Sequence, residues 1–571
     1  MDHATPESGA PESGVLADLR NRFDRGDPDA AIAEARALAG RFPGSWQAWE
    51  LLAYMVMWRG QALHDTGMME EAVGLQRRAV EAAPTNGRSR QVLINYLGMH
   101  RLVDEAMDQA SAWVTFDGDN PSAHLAFAGA CLDCLEFDRA RAALTEMVAR
   151  WPDDLAIADF ACNFANYDPS VSPAERTAVQ RSFGDRLERL LPPATARHTN
   201  PRDPERKLRV GFVSGDFRLH SCAFFLLPLL TNLDRDLYEP FLYYTYPVED
   251  AYVKRFRGLS KRFVKSIPNV AGVTEGLGFK FWNDRLDVLF DLAGHTPGHR
   301  LHVFHAKNVP VQVNYLGYPS TTGVPAVGYR FVDSTTDPPG SEPLATEELV
   351  RLDPCFVCYG PPEEAPAVEP RPAEGPPVFC SFNTNVKMND PTIRLWGRVL
   401  AAVPGSTLVL KNSGYVQPRM RAVVERKFAA AGVDPLRLVL VPGEPGLASH
   451  LAWYNRVDVA LDPLHYNGTT TTCEAMWMGV PVVTRRGDCH AGRVGASLLG
   501  AVGLGGLIAG TDDEYVEAAR ALVADRAGLR DVKASLRGRM ASGPLCDGAG
   551  FARRFEGAVR GLWRRWCASS G

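Results

Sequence analysis

The sequence predicts α-helical repeats followed by two consecutive doubly wound α/β domains. Three observations carry that expectation. From about Val15 to Tyr167 the text is Ala/Leu-rich and helical, and apolar helices end at recurring prolines. After a basic, proline-rich linker, PPATARHTNPRDPERK, the rhythm changes to short apolar runs alternating with helical stretches, the pattern of buried parallel strands. Beyond a proline- and acid-dense break, Tyr359–Pro377, that rhythm restarts.

Composition bounds what such a chain does. At 571 residues it is too long for one core. Its apolar and charged fractions are ordinary for a globular protein, and a net charge of -5 gives no basic signature for nucleic acid. No apolar run is long enough to span a bilayer, so no membrane is expected. The start, MDHATPESGAPESGV, lacks the basic opening and apolar core of a secretory signal, and the expected location is the cytoplasm. Residues 1–14, with their near-duplicate PESGAPESG, are expected to be a disordered tail. The eleven cysteines are scattered, and the two CxxC pairs, Cys131/Cys134 and Cys355/Cys358, lie too far apart for a local zinc module. Reduced, buried thiols are expected instead.

In the helical part, LAGRFPGSWQAW, VEAAPTNGRSRQ and VARWPDDLAIAD each stop a helix at Pro43, Pro84 or Pro152 and start another, with a looser copy at Pro121. Spacings of 31 to 41 residues bracket the 34-residue tetratricopeptide period, although its signature is degenerate. A TPR-like repeat domain is therefore expected over 15–195. Stacked helix pairs offer a groove for a peptide or protein; the alternative is a scaffold only.

Strands are expected at Leu208–Ser214, Pro240–Tyr246, Asp287–Ala293, Val311–Leu316 and Tyr329–Val332, making a first Rossmann-like lobe over 207–358. A linker at 359–377 leads to strands Val378–Asn383, Thr407–Leu410, Leu436–Val441, Val457–Leu461 and Val480–Thr484 of a second lobe over 378–571. Ligands of such folds sit beyond the carboxyl ends of the strands, which points to a cleft between the lobes.

The stretch LDPLHYNGTTTTCEAMWMGVPVV carries the strongest site signal. Four threonines, Thr469–Thr472, open a helix at a summed propensity cost of roughly 2 kcal/mol against alanine. After the turn at Asn467 and Gly468, the free amides of that helix start would make an anion site, with hydroxyls of Thr469, Thr470 and Thr471 as further donors. A β-hairpin is the competing reading, disfavoured because Gly479-Val-Pro481 opens the next strand too soon. Glu474 could accept from ribose hydroxyls, or be a solvated helix charge. FCSFNTNVKMNDP places Asn383, Thr384 and Lys387 at the end of the second lobe's first strand, where a lysine can neutralise a diphosphate leaving group. In GFVSGDFRLHSCAFF, His220 starts the next helix, positioned to act on a hydroxyl or to be structural. GHTPGHRLHVFHAKNVP holds His295, His299, His302 and His305. Without an H-E-x-x-H pattern they read as lining the cleft rather than holding metal.

Taken together, VGFVSGDFRLH, PVQVNYLGYPSTTG, FNTNVK, DVALDPLHYNGTTT and GVPVVT resemble the catalytic region of glycosyltransferase family 41, the protein O-linked N-acetylglucosamine transferases, which also carry tetratricopeptide repeats. The layout is similar to that of a bacterial member from Xanthomonas. The resemblance implies a GT-B fold and an inverting, metal-independent transferase that moves N-acetylglucosamine from UDP-GlcNAc to Ser/Thr hydroxyls, with no cofactor and no metal. It implies catalytic roles for His220 and Lys387. It implies UDP contacts for Asn383, Thr384, Lys387, His450, Asn467, Gly468, Thr469, Thr470, Thr471 and Glu474, the last replacing a ribose-binding aspartate. His295, Tyr318 and Pro319 fall on the acceptor side of the cleft. Two departures stand out. Thr346-Glu-Glu-Leu349 replaces a Ser-Glu-Lys-Leu segment of the animal enzymes, and the linker replaces their long insertion between the lobes.

The partners so implied are UDP-GlcNAc and a protein acceptor held by the repeats; a homo-oligomer is compatible with this reading. Relatives that use UDP-glucose or GDP-fucose keep those donors open. A repeat adaptor with an inactive, nucleotide-binding transferase region is the alternative from another class, and a small-molecule or lipid glycosyltransferase is a third.

Overall fold

A computed structural model describes residues 9–192, 198–266, 276–369, 371, 375–444 and 446–569. The tail expected over 1–14 and the linker expected over 359–377 lie partly outside these residues. Ser13 and Gly14 already belong to the first helix, which Leu19 anchors in the core. The chain divides into two compact units.

The first unit is built from the residues up to Pro152 with Pro247–Asp250 and Ser413–Val423. It contains the helices α1 (Ser13–Arg25), α2 (Pro28–Arg41), α3 (Trp46–Leu63), α4 (Thr66–Ala82), α5 (Gly87–Met99), α6 (Val103–Phe116), α7 (Pro121–Asp133) and α8 (Phe137–Arg150). The recurring prolines act through the residue before them, which they bar from the helical region. Phe42, Ala83 and Trp151 all close a helix near φ -118 to -144 and ψ 65 to 76. Pro121 differs because it occupies the first turn of α7, behind the Asn120 cap, instead of stopping α6. Ser45, Asp65 and Asn86 likewise cap α3, α4 and α5 through side-chain oxygens.

The second unit opens with α9 (Leu155–Phe164) and α10 (Pro173–Leu190), the latter started by a Ser172–Glu175 capping box. The sequence groups these two with the repeats, but they pack on the first sheet. Ala158, Cys162, Phe183 and Leu187 enter its core beside Val213, Tyr243 and Leu289. Gly184 and Gly323 allow that closeness: a Cβ on Gly184 would stand 1.8 Å from the Gly323 carbonyl oxygen.

The first sheet takes β1 (Leu208–Ser214), β2 (Tyr238–Tyr244), β3 (Arg262–Lys265), β4 (Val288–Asp291), β5 (Val311–Asn314), β6 (Tyr329–Val332) and β7 (Glu348–Arg351), in the order β3-β2-β1-β4-β5-β6-β7. Its helices are α11 (Ala223–Asn232), α12 (Ala251–Leu259), α13 (Leu277–Asn283) and α14 (Leu301–His305). Strands β3 and β7 escape the sequence reading because their burial is only partial and each spans four residues.

The second sheet takes β8 (Val378–Ser381), β9 (Thr407–Lys411), β10 (Leu438–Val441), β11 (Val459–Leu461), β12 (Val482–Arg485) and β13 (Ile508–Ala509), in the order β10-β9-β8-β11-β12-β13. The helices of this part of the chain are α15 (Asp390–Ala402), α16 (Pro418–Ala430), whose first residues fall in the first unit, α17 (Leu447–Ala452), α18 (Thr470–Trp477), α19 (Val494–Ala501), α20 (Asp512–Ala524), α21 (Arg526–Ser542) and α22 (Gly548–Ala568). The last helix crosses back: Phe555 packs on Phe212, Phe290 and Phe331 of the first sheet, and Arg560 donates to the carbonyls of Pro204 and Arg206. Every strand pair is parallel, and both sheets reverse strand order once, between β1 and β4 and between β8 and β11. Those two reversal points are where a doubly wound sheet opens a crevice for ligands.

Candidate active site at the strand reversals

At the second reversal, β8 and β11 deliver their following loops side by side. Asn383, Thr384 and Lys387 come from the first loop, with Lys387 closing a single 3-10 turn that begins after Thr384. The second loop brings Asp462, Tyr466, Asn467 and Gly468 to the start of α18. The threonine run does form a helix, Thr470–Trp477, and Thr469 at its start makes no side-chain cap bond, so the helix begins without the usual local substitute for a ligand. Gly468 is required there: a Cβ would lie 2.4 Å from the Thr471 hydroxyl and 3.0 Å from Asn383 Oδ1.

The loops are stitched together by polar contacts. Lys387 Nζ donates to the Asn467 carbonyl at 2.8 Å and stands 4.1 Å over the Tyr466 ring. Asn467 is fully buried, donating to Pro463 O at 2.8 Å and accepting from the Gly495 N–H at 3.2 Å. Gly468 N–H and the Thr484 hydroxyl both donate to Asp462 at 2.7 Å. Thr471 donates to Asn383 Oδ1 at 2.9 Å. Burial lowers the Lys387 ammonium to about 8, with Asp462 pulling the other way, and burial raises the Asp462 carboxyl against the bonds it accepts. A half-buried cation held by one carbonyl, with the Asp462 carboxylate acting on it from nearby, is poised to gain from an arriving anion.

A second chain of contacts lies alongside. His450 Nε2 is 3.3 Å from Glu474 Oε2, and its Nδ1 is 2.8 Å from Lys411 Nζ. Glu474 is therefore a buried partner of His450, not a solvated helix charge. Burial lowers Lys411, with Glu444 and Glu474 opposing. Sequence reasoning missed Lys411 and Asp462. The available signal was position, since each stands at or just after the carboxyl end of a strand beside the reversal.

At the first reversal, β1 ends at Ser214 and its loop carries Asp216, His220 and Cys222 to the start of α11. His220 is half-buried, its Nδ1 3.5 Å from Asp216 Oδ2 and accepting the Cys222 N–H at 3.3 Å. Burial lowers its pKa, Asp216 opposing, so the neutral imidazole is favoured. The β4 side corrects the sequence reading. His295 and Tyr318, expected to face the acceptor, are buried against α9 and α10, while Pro319 remains half-buried. His295 Nδ1 meets Asp159 Oδ1 at 2.7 Å and its Nε2 meets Thr322 O at 2.8 Å. Tyr318 donates to Cys162 O at 2.9 Å and accepts from Asn166 and Gln180, each at 3.0 Å. His299 shares the Asp159 oxygen at 3.0 Å, and His305 is buried, so His295, His299 and His305 are spent inside the fold. The reason is a helical layer contributed from earlier in the chain, which supplies partners that local spacing cannot reveal.

The model of glycosyl transferase family 41 matches residues 185–358 and 371–554, and a tetratricopeptide repeat model matches 19–87. The chain belongs to glycosyl transferase family 41. Among relatives, this family member is 38% identical over 392 residues to the rice (Oryza sativa subsp. japonica) protein named probable UDP-N-acetylglucosamine–peptide N-acetylglucosaminyltransferase SPINDLY, covering 68% of this chain and 42% of that one. The Arabidopsis thaliana protein of the same name is also 38% identical, with 68% and 43% covered. The chain thus spans less than half the length of these curated relatives. Among solved structures, a mutant O-GlcNAc transferase of Thermobaculum terrenum superposes with a TM-score of 0.76 at 30% identity, covering 97% of each chain. The family 41 match takes in both loop sets just described, and the Thr346–Leu349 departure is now explicable. Glu347 is buried and accepts the Thr322 N–H at 2.7 Å, while Glu348 pairs with Arg565 at 2.6 Å, so neither carboxylate is left uncompensated.

Proposed function

We propose that this family 41 chain is an inverting transferase that moves N-acetylglucosamine from UDP-GlcNAc to Ser/Thr hydroxyls of proteins, in the compact layout of the Xanthomonas member that it resembles. The single observation that carries the reading is Lys387 packed on the Asn467 carbonyl at the uncapped start of α18, beside a strand reversal. The α18 amides, the threonine hydroxyls and Lys387 would hold the donor's diphosphate and stabilise charge on it as the anomeric bond breaks. The acceptor hydroxyl attacks that carbon from the opposite face, with neutral His220 in range of a proton acceptor's role. His450, Glu474 and Asn383 would orient the nucleoside, and Thr384 and Pro319 would border donor and acceptor. The repeat helices would supply a surface for the acceptor, and the word peptide in the relatives' printed names supports a polypeptide in that place. No metal or cofactor is needed for these steps, because cationic and amide donors occupy the place where charge develops.

We place the protein in the cytoplasm. All eleven cysteines are free, as a reducing compartment favours, and among the described residues no helix is long and apolar enough to cross a membrane. A homo-oligomer is part of the proposal, and sedimentation of the purified chain would test it.

The test is thermal stabilisation of the purified chain across UDP- and GDP-sugars, followed by intact mass of a co-expressed acceptor protein. A ligand held about a hundredfold above its Kd should add about 2.7 kcal/mol. UDP-GlcNAc should stabilise most and the acceptor should gain hexosamine. Stabilisation by GDP-fucose or UDP-glucose alone would reassign the donor, and absence of donor turnover would leave the adaptor reading.

A further inference from the structure

We propose that Asp216, His220 and Cys222 form a three-ligand site for a thiophilic divalent cation such as zinc, and that its occupancy switches the transferase off. The inference rests on the role given above to His220. Among the described residues this is the one group of three His, Cys, Asp or Glu side chains whose ligand atoms all lie within 4.8 Å of one another. The set combines a carboxylate oxygen, an imidazole nitrogen and a thiol sulfur, which suits zinc better than magnesium or calcium.

The loop geometry favours convergence. The Asp216 N–H donates to Ser214 Oγ at 2.9 Å, fixing the turn after β1. The carboxylate then divides its work: Oδ1 faces Arg218 at 3.6 Å, and Oδ2 faces His220 at 3.5 Å. Tetrahedral zinc, with bonds of about 2.0–2.3 Å, sets neighbouring ligand atoms about 3.3–3.8 Å apart, so the cluster needs to close by only about 1 Å. All three residues are half-buried. Arg218 opposes a cation, but it is drawn aside over the Tyr246 ring at 4.5 Å.

The balance of the step is simple. Burial and Asp216 push the Cys222 thiol up, so it carries its proton in the metal-free chain. Zinc binding forms a zinc–sulfur bond and releases the thiol proton to solvent. Asp216 and Arg218 are the charged groups near the thiol; Tyr315 and Tyr466, also in range, are kept neutral by burial. Three protein ligands leave the fourth position to water, and an imidazole bound to metal no longer accepts a proton from a hydroxyl.

The experiment titrates cobalt(II) into the full chain and follows the thiolate-to-cobalt charge-transfer band, then displaces it with zinc. One equivalent should produce the band, zinc should abolish it, and Cys222→Ser should lack it. In the activity arm, zinc should suppress UDP release and chelation should restore it. Measured against its own metal-free rate, Cys222→Ser should tolerate about tenfold more zinc or better. A band that survives in Cys222→Ser, or equal zinc sensitivity of both proteins, would overturn the site. If Cys222→Ser does not fold, Asp216→Asn replaces it, and an unchanged cobalt affinity there counts against the proposal equally. A chain with the cobalt band but no UDP release keeps the metal site and refutes the transferase reading; turnover without the band does the reverse.

Discussion

The two strand reversals are built from the same topology but use their polar residues in opposite ways. At β8/β11 the side chains hold one another at the edge of an uncapped helix: Lys387 on a carbonyl, Thr471 on Asn383, Glu474 on His450. After β4 and β5, His295, His299 and Tyr318 are consumed by α9 and α10, helices that arrive from more than a hundred residues earlier in the chain. Both patches are rich in ionisable groups. Only the β8/β11 patch leaves donors whose natural complement is an anion, and the difference teaches that a polar cluster is a site when its partners are incomplete, not when it is dense.

The comparison breaks most sharply at Lys387. Lys387→Ala should reduce kcat about a hundredfold to a thousandfold, the range for losing one donor to developing charge, while the melting temperature falls little. UDP release by the folded variant checks it. Unchanged turnover would remove the second reversal from the chemistry.

The converse holds for Asp159. Burial pushes its carboxyl up, but His299 and His295 outweigh that and leave it at about 2. Asp159→Asn should therefore cost about 3 kcal/mol of stability, as for a buried pair that loses one partner, with kcat of the folded fraction retained. Because the folded pKa lies below the ordinary 3.8, the wild-type contribution is present above about pH 4 and is lost as pH falls toward 2, which denaturant melts at several pH values would show. Loss of kcat without loss of stability would return His295 to the cleft.

How much of this was legible depends on the reach of each signal. The strand β1 and the threonine helix follow from local patterns, a seven-residue apolar run and a strand–turn–helix length that leaves no space for a hairpin. Lys387 was found because strand end and charge coincide. His295 and Tyr318 were misplaced because their partners, Asp159, Asn166 and Gln180, lie 136 positions away in the His295 case, 138 to 152 in the Tyr318 case, and in a segment grouped with the repeats. The two-residue β13 and the half-buried β3 carry too few side chains to show a period at all.

pH sharpens the contrast further. With Lys387 at about 8, the free enzyme loses its charged donor as pH rises through that value, so kcat/KM for the donor should fall on the alkaline side with an apparent pKa near 8. Lys387→Arg, which keeps its charge at all accessible pH, should move that limb upward even if its rate at neutral pH is lower. A limb that stays in place belongs to another group.

Glu474→Gln comes next. It removes the charge opposite His450 while keeping the shape, and a charge-assisted bond contributes about 1.5–3 kcal/mol. The donor KM should rise by about tenfold or more with a smaller change in kcat, because the residue is assigned to the nucleoside and not to the breaking bond. A kcat effect as large as that of Lys387→Ala would place Glu474 on the reacting atoms instead.

The smallest effect tests whether the threonines act as donors or as scaffolding. Thr471→Val keeps the β-branched shape and deletes one hydroxyl, which in the resting chain is spent on Asn383. If that bond only positions Asn383, the loss is about 1 kcal/mol, or about fivefold in kcat/KM, and it falls on KM. Adding Asn383→Ala should then cost little more than Asn383→Ala alone, because the two residues share one interaction. Additive losses in that double variant would mean that the Thr471 hydroxyl leaves Asn383 for the donor's phosphate on binding, and would make α18 a part of the chemistry rather than its frame.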